Sequence, residues 1–329
     1  MRGAAAILCA ALALGALPAC GGGRAASPSD RVALEPRWQD ALETMPELFV
    51  VVRPKAIRQD RVYGPLLRRA IQAAREQSRV VAATHPLETI EDAEEVIVGM
   101  RPDTPQQAGE LLLVERGVRA DIDPAALVDD DGKALWAPGP SGGIRELVRE
   151  RDPSGQAPDA SLFELPGRTW VVATGPARRR ARDAFAHPFR RPDLDLDPSA
   201  LAFVRIDGPS LVAHVPALRG SGGLSALGAR LRSVTLTLPP GADGAVRVTL
   251  AYADDDATAL AEVALRETVR AVARARREGL AWLGRATVAP SGRSVVVTAP
   301  LPASLLEGLL GAGSKPLGLE VPAPAPAHP

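Results

Sequence analysis

"SVTLTLPPGADGAVRVTLAY", residues 233 to 252, decides the fold class. Val234, Leu236 and Leu238 alternate with Ser233, Thr235 and Thr237. Val246, Val248, Leu250 and Tyr252 repeat the pattern beyond the Pro- and Gly-rich turn. Successive strand side chains point to opposite faces, so strict alternation gives one buried face and one wet face. That is the habit of antiparallel sheets.

Outward from this hairpin, a helix is predicted from about Thr258 to Glu278, with Leu265, Val269, Val272 and Arg276 down one side. Glu262 stands four residues before Arg266, and Gly279 is a natural stop. "ATVAPSGRSVVVTA", residues 286 to 299, reads as a hairpin, followed by a short helix through Leu305 and Leu309. On the other side, "ALAFVRIDG" from Ala200 is a strand, and a short helix is expected around Leu224 to Leu231.

An earlier stretch follows a similar plan. Phe49 to Val52 is a strand, and Pro65 opens a helix with Leu67, Ala70, Ile71 and Ala74 on one face. Glu95 to Val98 and Leu111 to Val114 are further strands. "KALWAPGPSGGIREL" (133–147) is hairpin-like, and "RTWVVATGPARRRARDAF" (168–185) gives a last strand and a helix begun at Pro176. The expectation is an α+β fold of two similar two-layer halves, antiparallel sheets covered by helices. The order β-α-β-β-α-β predicts a ferredoxin-like arrangement in each. The halves span 46–190 and 200–314, joined by a Pro- and Asp-rich linker at 191–199. Residues 20–45 read as a flexible tether and 315–329 as an extended, uncored Pro/Ala tail.

The 329 residues suit two domains of ordinary size. Lys and Arg together number 39, as do Asp and Glu, so no overall field invites nucleic acid. Nearly every base is Arg, with Lys55, Lys133 and Lys315 the only lysines. Aromatics are 3% of the chain, which weighs against sugar- or base-stacking surfaces.

The chain opens on Met1-Arg2 and an uncharged run from Ala4 to Leu17. That run is shorter than the roughly 20 apolar residues needed to span a bilayer. A basic start, an apolar middle and small residues before a cut form the anatomy of an export signal. Leu17-Pro18-Ala19-Cys20 resembles the lipobox of bacterial lipoproteins. The resemblance implies that residues 1–19 are a cleaved signal peptide and that Cys20 carries a diacylglyceryl group and an acylated amine. Palmitate-type chains would then be the lipid anchor and the membrane a partner. One chain binds a membrane marginally, whereas several on one residue hold it stably. Gly21 stands where an Asp would signal inner-membrane retention in enterobacterial lipoproteins, which points to the outer membrane of a host with two. Cys9 lies in the signal, so Cys20 is the only cysteine of the mature chain and no disulfide framework is expected. The second half also loosely resembles uncharacterised exported bacterial proteins, in which an Ala-rich helix precedes an ending seen here from Val288 to Leu310. That resemblance implies no activity.

Chemical candidates are few. His85, His187, His214 and His328 form no spaced pair, so neither a metal nor another cofactor is expected. Asp129-Asp130-Asp131-Gly132 reads as a turn, and Asp254-Asp255-Asp256 as the lead-in to a helix N-terminus. Asp193, Asp195 and Asp197 alternate along the linker. Ser141, Ser221 and Ser225 lack the G-x-S-x-G elbow, and "GSGG" at 220–223 lacks the Lys-Ser/Thr ending of a phosphate loop. "ARRRARDAFAHPFRR" is the sharpest charge feature. Arg178, Arg179, Arg180 and Arg182, with Arg190 and Arg191, are candidates for contact with anionic headgroups or lipid phosphates. Consecutive arginines spread around a helix, so a solvated face is the simpler expectation. Arg274, Arg276 and Arg277 sit near a helix C-terminus, where cations suit the dipole.

These readings converge on a lipid-anchored extracytoplasmic protein, periplasmic or surface-facing, with a binding or structural role in the envelope and no catalytic machinery. A lipid or lipoprotein carrier would need a large apolar cavity. A hydrolase would need Ser, Asp or His converging in a cleft. An envelope protein or lipid is the expected partner; its identity is not encoded in any motif.

Overall fold

The computed structural model describes residues 35–300 except 62, 66–91, 103–107, 129–131, 141–142, 150–158, 189–195, 215–217, 219–224, 229, 241–244, 276–281 and 283. Cys20, the helix expected beyond Pro65 and the C-terminal tail lie outside the described residues.

A twelve-stranded sheet dominates the described residues. Its strands are β1 (Leu48–Val52), β2 (Glu95–Arg101), β3 (Glu110–Arg116), β4 (Ala137–Pro138), β5 (Arg145–Arg149) and β6 (Ala160–Leu165). They continue as β7 (Thr169–Thr174), β8 (Ala202–Asp207), β9 (Leu231–Leu238), β10 (Ala245–Tyr252), β11 (Thr287–Ser291) and β12 (Ser294–Pro300). The order across the sheet is β11-β12-β10-β9-β8-β1-β2-β3-β7-β6-β5-β4. The ladders are antiparallel. Helices α1 (Pro54–Gln59), α2 (Pro176–Ala186), α3 (Gly208–His214), α4 (Ser225–Gly228) and α5 (Asp255–Ala275) complete an α+β architecture.

The opening hairpin takes the register its alternation requires. Leu250 lies opposite Val234 and Val248 opposite Leu236, while Thr249 meets Thr235 on the other face. The apolar face packs under α4 and α5: Leu231, Leu250, Tyr252 and Val295 meet Leu227, Ala257 and Ala261. α5 begins where the acid run predicts. Asp254 accepts the Ala257 N–H at 2.9 Å, and Glu262 pairs with Arg266 at 2.6 Å one turn on.

At the other end both faces of the sheet are covered. On one, Phe49, Ile97, Val114, Val171 and Phe163 pack against Ala177, Ala181 and Phe185 of α2. Phe163 and Phe185 meet edge to face with centroids 5.2 Å apart. The opposite face carries Leu147, Leu162, Trp170 and Val172 beneath Val118 and Trp136.

Two expectations are corrected here. The ferredoxin-like order is not taken, because such a unit places another strand between the two that a helix connects. β8 and β9, joined through α3 and α4, are instead direct antiparallel neighbours, with Asp207 opposite Ser233. The connection brings the chain back to the end where β8 stopped, so β9 runs antiparallel beside it. The second correction concerns the tether. Trp38 and Ala41 are buried in a 3-10 turn, and the Trp38 ring stacks on Phe49 at 6.5 Å, so the body begins ahead of residue 46.

Candidate functional site

The arginines singled out by sequence lie on α2, and their placement follows from how that helix starts. Pro176 supplies the fixed φ favoured at the first helical position. Gly175 before it has φ +56, and a Cβ there would run into the Gly109 carbonyl. Glycine thus lets α2 begin against the start of β3. Ala177, Ala181 and Phe185, four residues apart, turn to the sheet.

The arginines between them divide in role. Arg182 donates through Nε and a terminal nitrogen to the two oxygens of Glu146, at 2.9 and 2.6 Å. Arg180 stands 2.7 Å from Glu110, whose other oxygen accepts from Arg101 at 2.9 Å. Glu146 and Glu110 are both buried. Arg178 donates Nε to the Ser161 hydroxyl at 3.1 Å and lies 3.5 Å from Asp159. Arg179 is exposed and makes no ion pair among the described residues. The solvated helix face expected from the sequence is therefore corrected for Arg180 and Arg182, which neutralise acids that the sheet buries.

Burial raises the Glu146 pKa, but it is outweighed by hydrogen bonds from Arg182 and Ser161 and by the charges of Arg182 and Arg178. The carboxyl is held below its ordinary range. The same hydrogen bond pushes the Arg182 guanidinium up. Glu110 and Glu146 were missed at the level of sequence. Glu110 opens the strand ELLLVER and Glu146 stands between Arg145 and Leu147 in RELVR, so neither is marked in sequence as a partner of α2.

An open depression of about 740 Å³ surrounds the start of α2, lined by Ala108, Asp159, Gly175, Pro176 and all four arginines. A second, of about 410 Å³, is lined by Arg119, Asp121, Asp123, Arg145, Glu164 and Arg168 among others. Its charges are mostly spent on one another: Arg145 reaches Asp123 at 2.9 Å and Glu164 at 3.2 Å. The Ala125 N–H and then Arg145 hold the Asp123 carboxyl low, and Arg119 does the same for Asp121.

The remaining candidates scatter. Asp254 caps α5 and is held low chiefly by the Ala257 N–H. Asp197 accepts from the Ser199 N–H and hydroxyl. His187 follows the end of α2, its N–H bonded to the Asp183 carbonyl. Asp129 to Asp131, Asp193, Asp195, Ser141, Ser221, His85, His328, Arg190, Arg191, Arg276 and Arg277 lie outside the described residues. Among the described residues, no three His, Cys, Asp or Glu side chains are grouped to hold a metal. Nor is any described helix long and apolar enough to cross a membrane.

No protein-family model matches the chain, and no curated protein does. Among solved structures, the chain is similar to crystal form I of TP0453, at 12% identity and a TM-score of 0.47. The match covers 85% of this chain and 98% of that one.

Proposed function

We propose that this chain is a lipid-anchored extracytoplasmic protein with a binding or structural role in the bacterial envelope, moored through Cys20 to the outer membrane where the host has two. The observation that carries the reading is Leu17-Pro18-Ala19-Cys20, set behind an uncharged run too short to span a bilayer. Three acyl chains on one residue would anchor a water-soluble body that needs no spanning segment of its own.

The body is read as two similar halves. Stepping outward from the centre of the sheet, β1-β2-β3-β7-β6 and β8-β9-β10-β12-β11 repeat one pattern. In each, three strands follow chain order and a hairpin then joins in reverse. The β1–β8 ladder, with Val50 opposite Val204, joins the two.

The test is metabolic labelling with a palmitate analogue in a bacterial host that processes lipoproteins. The wild-type chain is expected to take up label, and Cys20→Ser to lose it and retain its leader. Equal labelling of the variant would reject the assignment.

A further inference from the structure

We propose that the depression at the start of α2 binds a phosphate-type anion through Arg178 and Arg179. The inference rests on the binding role proposed above and gives it a ligand class.

Arg180 and Arg182 are spent on the buried carboxylates of Glu110 and Glu146, which fix the helix to the sheet. Arg178 makes no hydrogen bond to either carboxylate, although its charge helps hold the Glu146 carboxyl low, and Arg179 makes no ion pair among the described residues. The Ser161 hydroxyl accepts from Arg178 Nε, a neutral contact that orients the guanidinium and leaves its charge in place. Asp159, half-exposed, lies 3.5 Å from a terminal nitrogen of Arg178, longer than a good charge-assisted hydrogen bond. An incoming anion can displace a contact of that length. Arg179 beside it is exposed.

Among the described residues, Asp159 is the one acid lining the depression, against four arginines. Ala108, Gly175 and Pro176 are the other described lining residues, and they add neither charge nor bulk. A guanidinium presents its donors as a planar fork that matches two phosphate oxygens at once. The depression, about 740 Å³ and open to solvent, admits a bare phosphate or one borne on a larger body. A lipid headgroup and a soluble phosphate compound share that chemistry.

The test uses the full chain with Cys20→Ser, so that no acyl group contributes and failure of the anchor leaves the outcome readable. One arm titrates inorganic phosphate and pyrophosphate by calorimetry. The other measures co-sedimentation with phosphatidylcholine vesicles, with and without phosphatidylglycerol. Saturable binding is expected in at least one arm, weakened about tenfold or more in Arg178→Gln/Arg179→Gln and unchanged in Arg270→Gln on α5. Arg179→Glu alone changes one exposed side chain and serves if the double variant misfolds. Binding to phosphate or pyrophosphate assigns a soluble ligand; binding only to phosphatidylglycerol vesicles assigns a headgroup. Absence of binding in both arms, or binding that Arg179→Glu and the double variant retain in full, overturns the proposal.

Discussion

The two flanks of the sheet, on either side of the β1–β8 ladder, bury different numbers of faces. Across β3, β7 and β6 there is a core on each side, and all six residues of β7 are buried. From β8 to β11 one cluster packs under α3 to α5, while Ser233, Thr235 and Thr249 occupy the opposite face. The difference lies in what the strands must hide. A strand buried on both sides needs apolar residues at every position, whereas a strand buried on one side needs them at every second position.

The largest effect should come from the doubly covered flank. Phe163→Ala removes a ring that is 2% exposed and packed on Phe185, and should cost about 3–5 kcal/mol, read from urea unfolding. A loss no greater than that of a partly exposed residue would mean that α2 is not tightly seated.

Glu146→Gln comes next, at about 1–3 kcal/mol, because Arg182 loses its charged partner. Since the native Glu146 pKa is lowered, its contribution is present above the unfolded carboxyl pKa and is lost as pH falls through the native value. The variant should therefore show a flatter acid limb of stability against pH. An acid limb as steep as that of the wild type would remove Glu146 from the account.

The singly covered flank should respond at the opposite end of the pH scale. Tyr252 is buried, its hydroxyl donating to the Leu227 carbonyl at 3.2 Å, and burial pushes its pKa from 10.0 up to about 12. Its contribution is full below pH 10.0 and declines as pH rises through about 12. Tyr252→Phe should cost about 1 kcal/mol at neutral pH and lack that alkaline decline, as followed by denaturant midpoints. The smallest effect belongs to the partly buried Ser/Thr face. Thr249→Val should move stability by less than about 0.5 kcal/mol, and a clearly larger shift would mean that the face is covered.

The same contrast explains what could be read in advance. β9 and β10 declared themselves by alternation, the β11–β12 hairpin by the stretch from Ala286 to Ala299, and α5 by its acid lead-in and its Glu262–Arg266 spacing. β6, "ASLFEL", was not anticipated: five of its six residues are buried, so no period of two marks it. Strand order was illegible because a helical connection does not state in sequence whether it crosses the sheet or doubles back. At the candidate site the arginines were visible, but their partners were not. Glu110 and Glu146 lie on separate strands, and only folding brings them beneath α2.

The central claim is most directly tested at the mature N-terminus, by mass spectrometry of the tryptic peptide from protein extracted from membranes. The account predicts a peptide Cys20 to Arg24 carrying a diacylglyceryl thioether and an amide-linked acyl chain. A chain that still begins at Met1, or a peptide with an unmodified thiol at Cys20, would contradict it.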